Sequence, residues 1–265
     1  MFDVLGEVRE KGPIIHCITN HVVSNFQANG LLALGASPIM GDAIEETEAL
    51  TSIAGALSLN IGTLTQRSRD SMLKSGGAAN EAGIPVVLDP VGAGATPFRL
   101  ATVRQLLEEI EIALLRCNAG ELAAIAGAEW QAKGVDAGDG AANIEELAIE
   151  TARRYGLIVA VTGEIDIVTD GETVERIPYG SSAMSAVTGM GCLLSSVAAA
   201  FLAVSPKPSV AAVAEASRFY AIAGERAAER SRGPGSLQQH FLDELACLTE
   251  TDMAERVRME VAQHD

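Results

Sequence analysis

Residues 189–192, Gly-Met-Gly-Cys, stand directly before an apolar, alanine-rich run at 193–204. Glycines in a turn that feeds a helix leave its first backbone N–H groups bare at the positive end of the dipole, so the segment suits a phosphate. Cys192 stands in the same field, which favours a thiolate and would put a base beside the bound anion. The plainer alternative is a tight turn with Cys192 as a small core residue. Asp89 offers a second chemistry, because it ends an apolar run and opens the turn Pro90-Val91-Gly92-Ala93-Gly94. Glu121 follows Asn118-Ala119-Gly120 at a helix start. Together they suit Mg²⁺, which keeps several waters and borrows one or two carboxylates plus substrate phosphates. A turn-capping aspartate and a first-turn partner of the helix dipole are the competing readings. Arg116, a cation at a strand end in an acidic chain, fits a nucleotide phosphate or a structural ion pair.

Positioning such groups requires a sheet. Residues 13–18, 36–40, 56–61, 85–88, 112–115 and 157–161 are short, nearly uniformly apolar runs separated by helical patterns such as 97–109 and 144–155. Strands that are apolar on both faces are covered on both faces, so the fold class is α/β with a mostly parallel sheet between helices. Asp170-Gly171 between 165–168 and 173–177 signals a hairpin, hence an antiparallel edge. Residues 132–143, rich in Gly, Ala and Asp, read as a loop, and 193–204 and 210–231 as helices. Ligands bind beyond the carboxyl ends of such strands. Polar positions there are Thr19-Asn20, Met40-Gly41-Asp42, Asn60-Ile61-Gly62-Thr63, Asp89, Arg116 to Glu121, and Thr162-Gly163-Glu164.

The 265 residues, 48% of them hydrophobic, can bury the core of one large α/β domain spanning 1–265. A formal charge of −16 disfavours nucleic acid, whose phosphates are bound by clustered Lys and Arg. A chain this acidic that handles phosphate must do so locally, with backbone dipoles and a metal. Four cysteines without a CxxC pair form neither a zinc signature nor a dense disulfide framework, which fits a reducing cytoplasm. The acidic, helical start lacks the pattern of a signal peptide, and the apolar run after Cys192 is too short to span a membrane. His16 reads as a core histidine, His21 as a residue near a pocket, and the acids from Asp42 to Glu48 as a solvated helix start.

Six blocks in order resemble the hydroxyethylthiazole kinases of the ribokinase-like superfamily: His16-Cys17-Ile18-Thr19-Asn20, Ala36-Ser37-Pro38-Ile39-Met40, Asn60-Ile61-Gly62-Thr63-Leu64, Asp89 to Gly94, Arg116 to Glu121, and Val187 to Cys192. The resemblance covers about residues 8–230. It implies a ribokinase-like fold, a thiazole contacted by Asn20, Met40 and Gly189, ATP served by Arg116 and Thr162, and magnesium associated with Asp89 and Glu121. It also places Cys192 where the superfamily commonly has a basic aspartate, and implies a trimer with sites at its interfaces. The reaction implied is transfer of the γ-phosphoryl group of ATP to a primary hydroxyl, as in thiamine biosynthesis. Two positions depart from the family pattern: Cys117 stands where Gly is usual, and Ser185-Ala186 where a Lys is often found. A hydroxymethylpyrimidine kinase of the same superfamily and a nucleotide-binding regulator without turnover are the alternatives.

Overall fold

In a computed structural model, residues 4–128 and 139–264 are described. The strands are β1 Ile14–Ile18, β2 Ser37–Ile39, β3 Ala56–Asn60, β4 Val86–Asp89, β5 Leu114–Asn118, β6 Ile158–Thr162, β7 Asp166–Thr169 and β8 Val174–Ile177. The helices are α1 Val4–Lys11, α2 Ser24–Leu34, α3 Thr47–Ser52, α4 Gln66–Ala82, α5 Pro97–Glu109, α6 Ala119–Ala126, α7 Asp139–Tyr155, α8 Met190–Val204, α9 Val210–Glu229, α10 Pro234–Cys247 and α11 Glu250–His264.

The strands form one sheet in the order β2-β1-β3-β4-β5-β6-β7-β8. From β2 to β6 every pairing is parallel, and β7 and β8 close the edge antiparallel. The α/β expectation and the edge hairpin both hold. Two apolar cores explain the uniformly apolar strands: one lies between the sheet and α2, α8, α9 and α10, the other beneath α4 to α7. Burying both faces removes the polar side that an alternating strand would show. Of the expected loop at 132–143, residues 139–143 belong to α7, and 132–138 lie outside the described residues.

Parallel pairing brings the carboxyl ends of six strands to one edge. In sheet order these ends carry Met40, Asn20, Asn60, Asp89, Arg116 and Thr162. Five interstrand steps of about 4.8 Å make that row roughly 24 Å long, room for two small molecules end to end. Helix α8 packs across β1, β3 and β4, so its N-terminus faces the middle of the row.

Candidate active site

Gly189 caps α8 at φ +91°, and a Cβ there would meet Val23 Cγ1 at 2.7 Å. Both the backbone angle and the space call for glycine. The first bond of the helix runs from Leu193 N–H to the Gly189 carbonyl (2.8 Å). The N–H groups of Met190, Gly191 and Cys192 thus have no intrahelical acceptor, as an anion cradle requires. The Tyr220 hydroxyl donates to the Met190 carbonyl (2.6 Å) and Gln27 Nε2 to the Cys192 carbonyl (2.7 Å), fixing the start of the helix.

Arg116 packs against this loop so closely that a Cβ on Gly191 would lie 2.6 Å from its Nη1. Its Nη2 donates to Thr162 Oγ1 (2.7 Å), and Nη1 lies 3.9 Å from Asp89 Oδ2. Burial works against the charge of Arg116, but Asp89, Glu121 and Asp166 outweigh it and hold the pKa above its ordinary value. Arg116 Nε is buried without a partner.

Asp89 is completely buried. Its Oδ2 accepts from Asn60 Nδ2 (2.9 Å) and Ser195 Oγ (2.8 Å), while Oδ1 has no hydrogen-bond partner. Desolvation pushes the carboxyl up to about 6, against the pull of Arg116, Ser195 and Asn60. A buried, unpartnered carboxylate oxygen costs about 1–3 kcal/mol, a standing invitation to a cation or a hydrated cation. Glu121 is at the start of α6, where Oε2 accepts from Asn118 N–H and Oε1 from Gly92 N–H, both at 2.9 Å. It is thus the capping acid that the first-turn reading describes, and it also ties the β4 turn to the β5 turn.

From Asn20 to Asp89 the amides form a directional chain. Asn20 Oδ1 accepts from the N–H groups of Val22 (3.1 Å) and Val23 (3.2 Å), and Nδ2 donates to Asn60 Oδ1 (2.8 Å). The same Nδ2 approaches Cys192 Sγ at 3.6 Å. Burial pushes the Cys192 thiol up to about 11, with Asp89 adding to the rise and Asn60, Arg116 and Asn20 opposing it. Of the two influences on Cys192, desolvation outweighs the helix field that favours a thiolate, and the thiol is neutral at pH 7.

Asn20, Asp89, Arg116, Thr162, Gly189 and Cys192 therefore converge, Glu121 joins through Gly92, and Met40 stands apart at the β2 end. His16, fully buried, holds the Met40-Gly41 turn through Nε2 and the Gly41 carbonyl (2.8 Å), with Thr51 on Nδ1 (2.9 Å). The core-histidine reading holds, whereas His21 is exposed. Cys117 points into the core beneath the sheet and does not crowd the site. Asn60 is one of the strand-end positions that the sequence singles out, whereas Ser195 and Gln27 are brought to the site by the fold alone. Among the described residues no three His, Cys, Asp or Glu side chains form a metal cage.

A cavity of about 680 Å³ opens beside Gly191. Its walls include Arg116, Thr162, Asp166, Met184, Leu194 and Tyr220. The row thus has a roomy cavity at its β5 and β6 end, with the helix start facing its middle.

A parallel sheet with its polar row under a helix N-terminus places the chain among the ribokinase-like α/β folds. A ribokinase-like superfamily protein from Enterococcus faecalis superposes with a TM-score of 0.63 at 12% identity, covering 91% of this chain and 88% of its own, a likeness of fold alone. Much closer is the hydroxyethylthiazole kinase structure from Pyrococcus horikoshii, with a TM-score of 0.88, 39% identity, and coverage of 96% of this chain and 95% of that one. Hydroxyethylthiazole kinase of Haemophilus influenzae is 52% identical over 96% of this chain and 97% of its own. The model of the hydroxyethylthiazole kinase family matches residues 5–251, and the chain belongs to that family.

Proposed function

We propose that this protein transfers the γ-phosphoryl group of ATP to the primary hydroxyl of 4-methyl-5-(2-hydroxyethyl)thiazole, giving the thiazole phosphate and ADP for thiamine synthesis. The observation that carries this reading is the bare α8 N-terminus between a nucleotide-sized cavity and the Asn20 end of the row. ATP occupies the cavity, with Arg116 and Thr162 on its phosphates and the transferring group on the Met190 to Cys192 N–H groups. The thiazole lies at Asn20, Met40 and Gly189, its hydroxyl toward Cys192.

Phosphoryl transfer passes through a loose transition state, so positioning and charge neutralisation supply most of the catalysis. Arg116 and the helix start are fixed before substrate arrives, so little reorganisation remains to be done as charge develops. Cys192, as a neutral thiol, orients the alcohol, and the alcohol's proton passes late to an oxygen of the transferring phosphoryl group as the new O–P bond forms and the bond to ADP breaks. Asn60 and Ser195 hold Asp89 in place. Magnesium fits this donor set, since Asp89 Oδ1 is unpartnered and the Glu121 carboxylate stands across the Gly92 turn. Bound by these two acids through water, Mg²⁺ would neutralise phosphate charge.

The reading includes a homotrimer with sites at its interfaces, supported by Val22 (68% exposed) and Met40 (37% exposed) beside the thiazole end. It also includes a single catalytic unit and a cytoplasmic setting, supported by four free cysteines. Among the described residues no helix is long and apolar enough to cross a membrane.

The test is an ADP-release assay with Mg²⁺-ATP against hydroxyethylthiazole, hydroxymethylpyrimidine, pyridoxal and ribose. Turnover confined to hydroxyethylthiazole is the expected result, and ADP release with another alcohol alone moves the substrate assignment. Light scattering of the purified protein reads the trimer.

A further inference from the structure

Arg99 projects from α5 into the space between two strand-end turns. Its Nη1 donates to the carbonyls of Ile61 (2.7 Å) and Val91 (2.6 Å), and its Nη2 to that of Gly62 (2.7 Å). Among the described residues no carboxylate lies within ion-pair distance of it. The guanidinium therefore serves as a three-pronged clamp on main-chain carbonyls.

Each clamped turn carries part of the candidate site. Val91 lies two residues after Asp89, and the adjacent Gly92 N–H is the one that Glu121 accepts (2.9 Å). Gly62 backs Asn20 so tightly that a Cβ on it would come 2.7 Å from Asn20 Nδ2. Its own N–H donates to Asn60 Oδ1 (2.9 Å). Left to themselves, the two turns are joined through the Asn60 to Asp89 bond, the bond from Ile61 N–H to the Asp89 carbonyl (3.2 Å) and the pairing of β3 with β4. The clamp adds a direct tie beyond the strand ends.

We propose that Arg99 is a positioning residue for phosphoryl transfer: it locks the β3 turn to the β4 turn, so that Asn20 and the two acids keep one mutual geometry. The proposal rests on the kinase reading above. Arg99 touches no substrate in that reading, since its Nη1 and Nη2 are engaged by carbonyls. A lysine carries the same charge but lacks the planar fork that reaches three carbonyls on two turns.

The experiment compares wild type with Arg99→Lys and Arg99→Met. Partners that orient a metal's ligands typically change affinity or activity about 10- to 100-fold when lost. Both variants should therefore lose about that much kcat, with Arg99→Lys failing to rescue and with KM for ATP unchanged, because Arg116 and Thr162 lie outside the clamp. Mn²⁺ binding, read by electron paramagnetic resonance with a non-hydrolysable ATP analogue, should weaken by a similar factor. Wild-type kcat, or unaltered Mn²⁺ binding in a folded variant, overturns the proposal.

A measurement on wild type is independent of variant stability. Amide exchange over 61–64 and 90–95 should slow together when Mg²⁺ and the ATP analogue are added. Slowing confined to 90–95 also overturns it. Failure of the kinase reading itself would register differently, as absence of turnover in the wild-type protein.

Discussion

The two ends of this sheet each carry a hollow, and they differ in what lines it. At the carboxyl ends, a cavity of about 680 Å³ adjoins a bare helix start, an unpartnered Asp89 oxygen and an unpartnered Arg116 nitrogen. At the amino ends, about 490 Å³ is bounded by Asn80, Pro85, Glu111, Leu157, Asp170 and Ser209 among others. There the polar groups serve one another. Asn80 Nδ2 donates to the Glu111 carbonyl (3.0 Å) and its Oδ1 accepts from Glu111 N–H (2.8 Å). Asp170 accepts from Glu172 and Thr173 N–H, and Ser209 caps α9. The difference teaches that a site is marked by buried polar capacity left over after folding, and not by volume. Keeping Asp89 dry and incompletely bonded costs stability, which binding can recover.

The sharpest break of that contrast is Asp89→Asn, which keeps the shape and removes the charge. It should lower kcat by about 10²- to 10³-fold, the range seen when one preorganised electrostatic contact is lost. Steady-state kinetics at saturating Mg²⁺ checks this, and an unchanged kcat would move the acid out of the site. Next comes Cys192→Ala. A dedicated base supplies roughly 10²- to 10⁴-fold, and a neutral thiol belongs at or below the low end, so turnover should slow by no more than about 100-fold. Cys192→Asp, a carboxylate at the same position, should be faster than Cys192→Ala.

A third expectation concerns protonation. Because only the thiolate reacts, alkylation of Cys192 by iodoacetamide should be slow at pH 7 and rise by about tenfold per pH unit toward about 11. Peptide mass spectrometry separates Cys192 from the exposed Cys247. A plateau near pH 7 would restore the thiolate. The smallest effect belongs to the other end of the sheet: Asn80→Ala should cost about 1 kcal/mol of stability. Its kcat should stay within about twofold of wild type, as for sites remote from the chemistry.

Much of this was legible in the chain because uniformly apolar strands announce a sheet buried on both faces, and the polar residue that ends each strand announces the edge where ligands bind. Asp89, Arg116 and Thr162 are visible in that way. Ser195 is not, since a serine in an alanine-rich helix gives no sign whether it faces a carboxylate or its own backbone. Gln27 and Arg99 are equally silent, because their partners lie up to 169 and 38 positions away. The state of Cys192 is not legible in the chain: its helix position favours a thiolate, but burial among Asn20, Asn60 and Asp89 is a tertiary fact, and it dominates.

The most direct test of the central claim is a crystal structure with hydroxyethylthiazole and a non-hydrolysable ATP analogue. The account predicts the nucleotide in the larger cavity against Arg116 and Thr162, its terminal phosphate on the Met190 to Cys192 N–H groups, and the thiazole at Asn20 with its hydroxyl facing Cys192. A nucleotide seated at the amino ends of the strands, or a thiazole remote from Asn20, would contradict it.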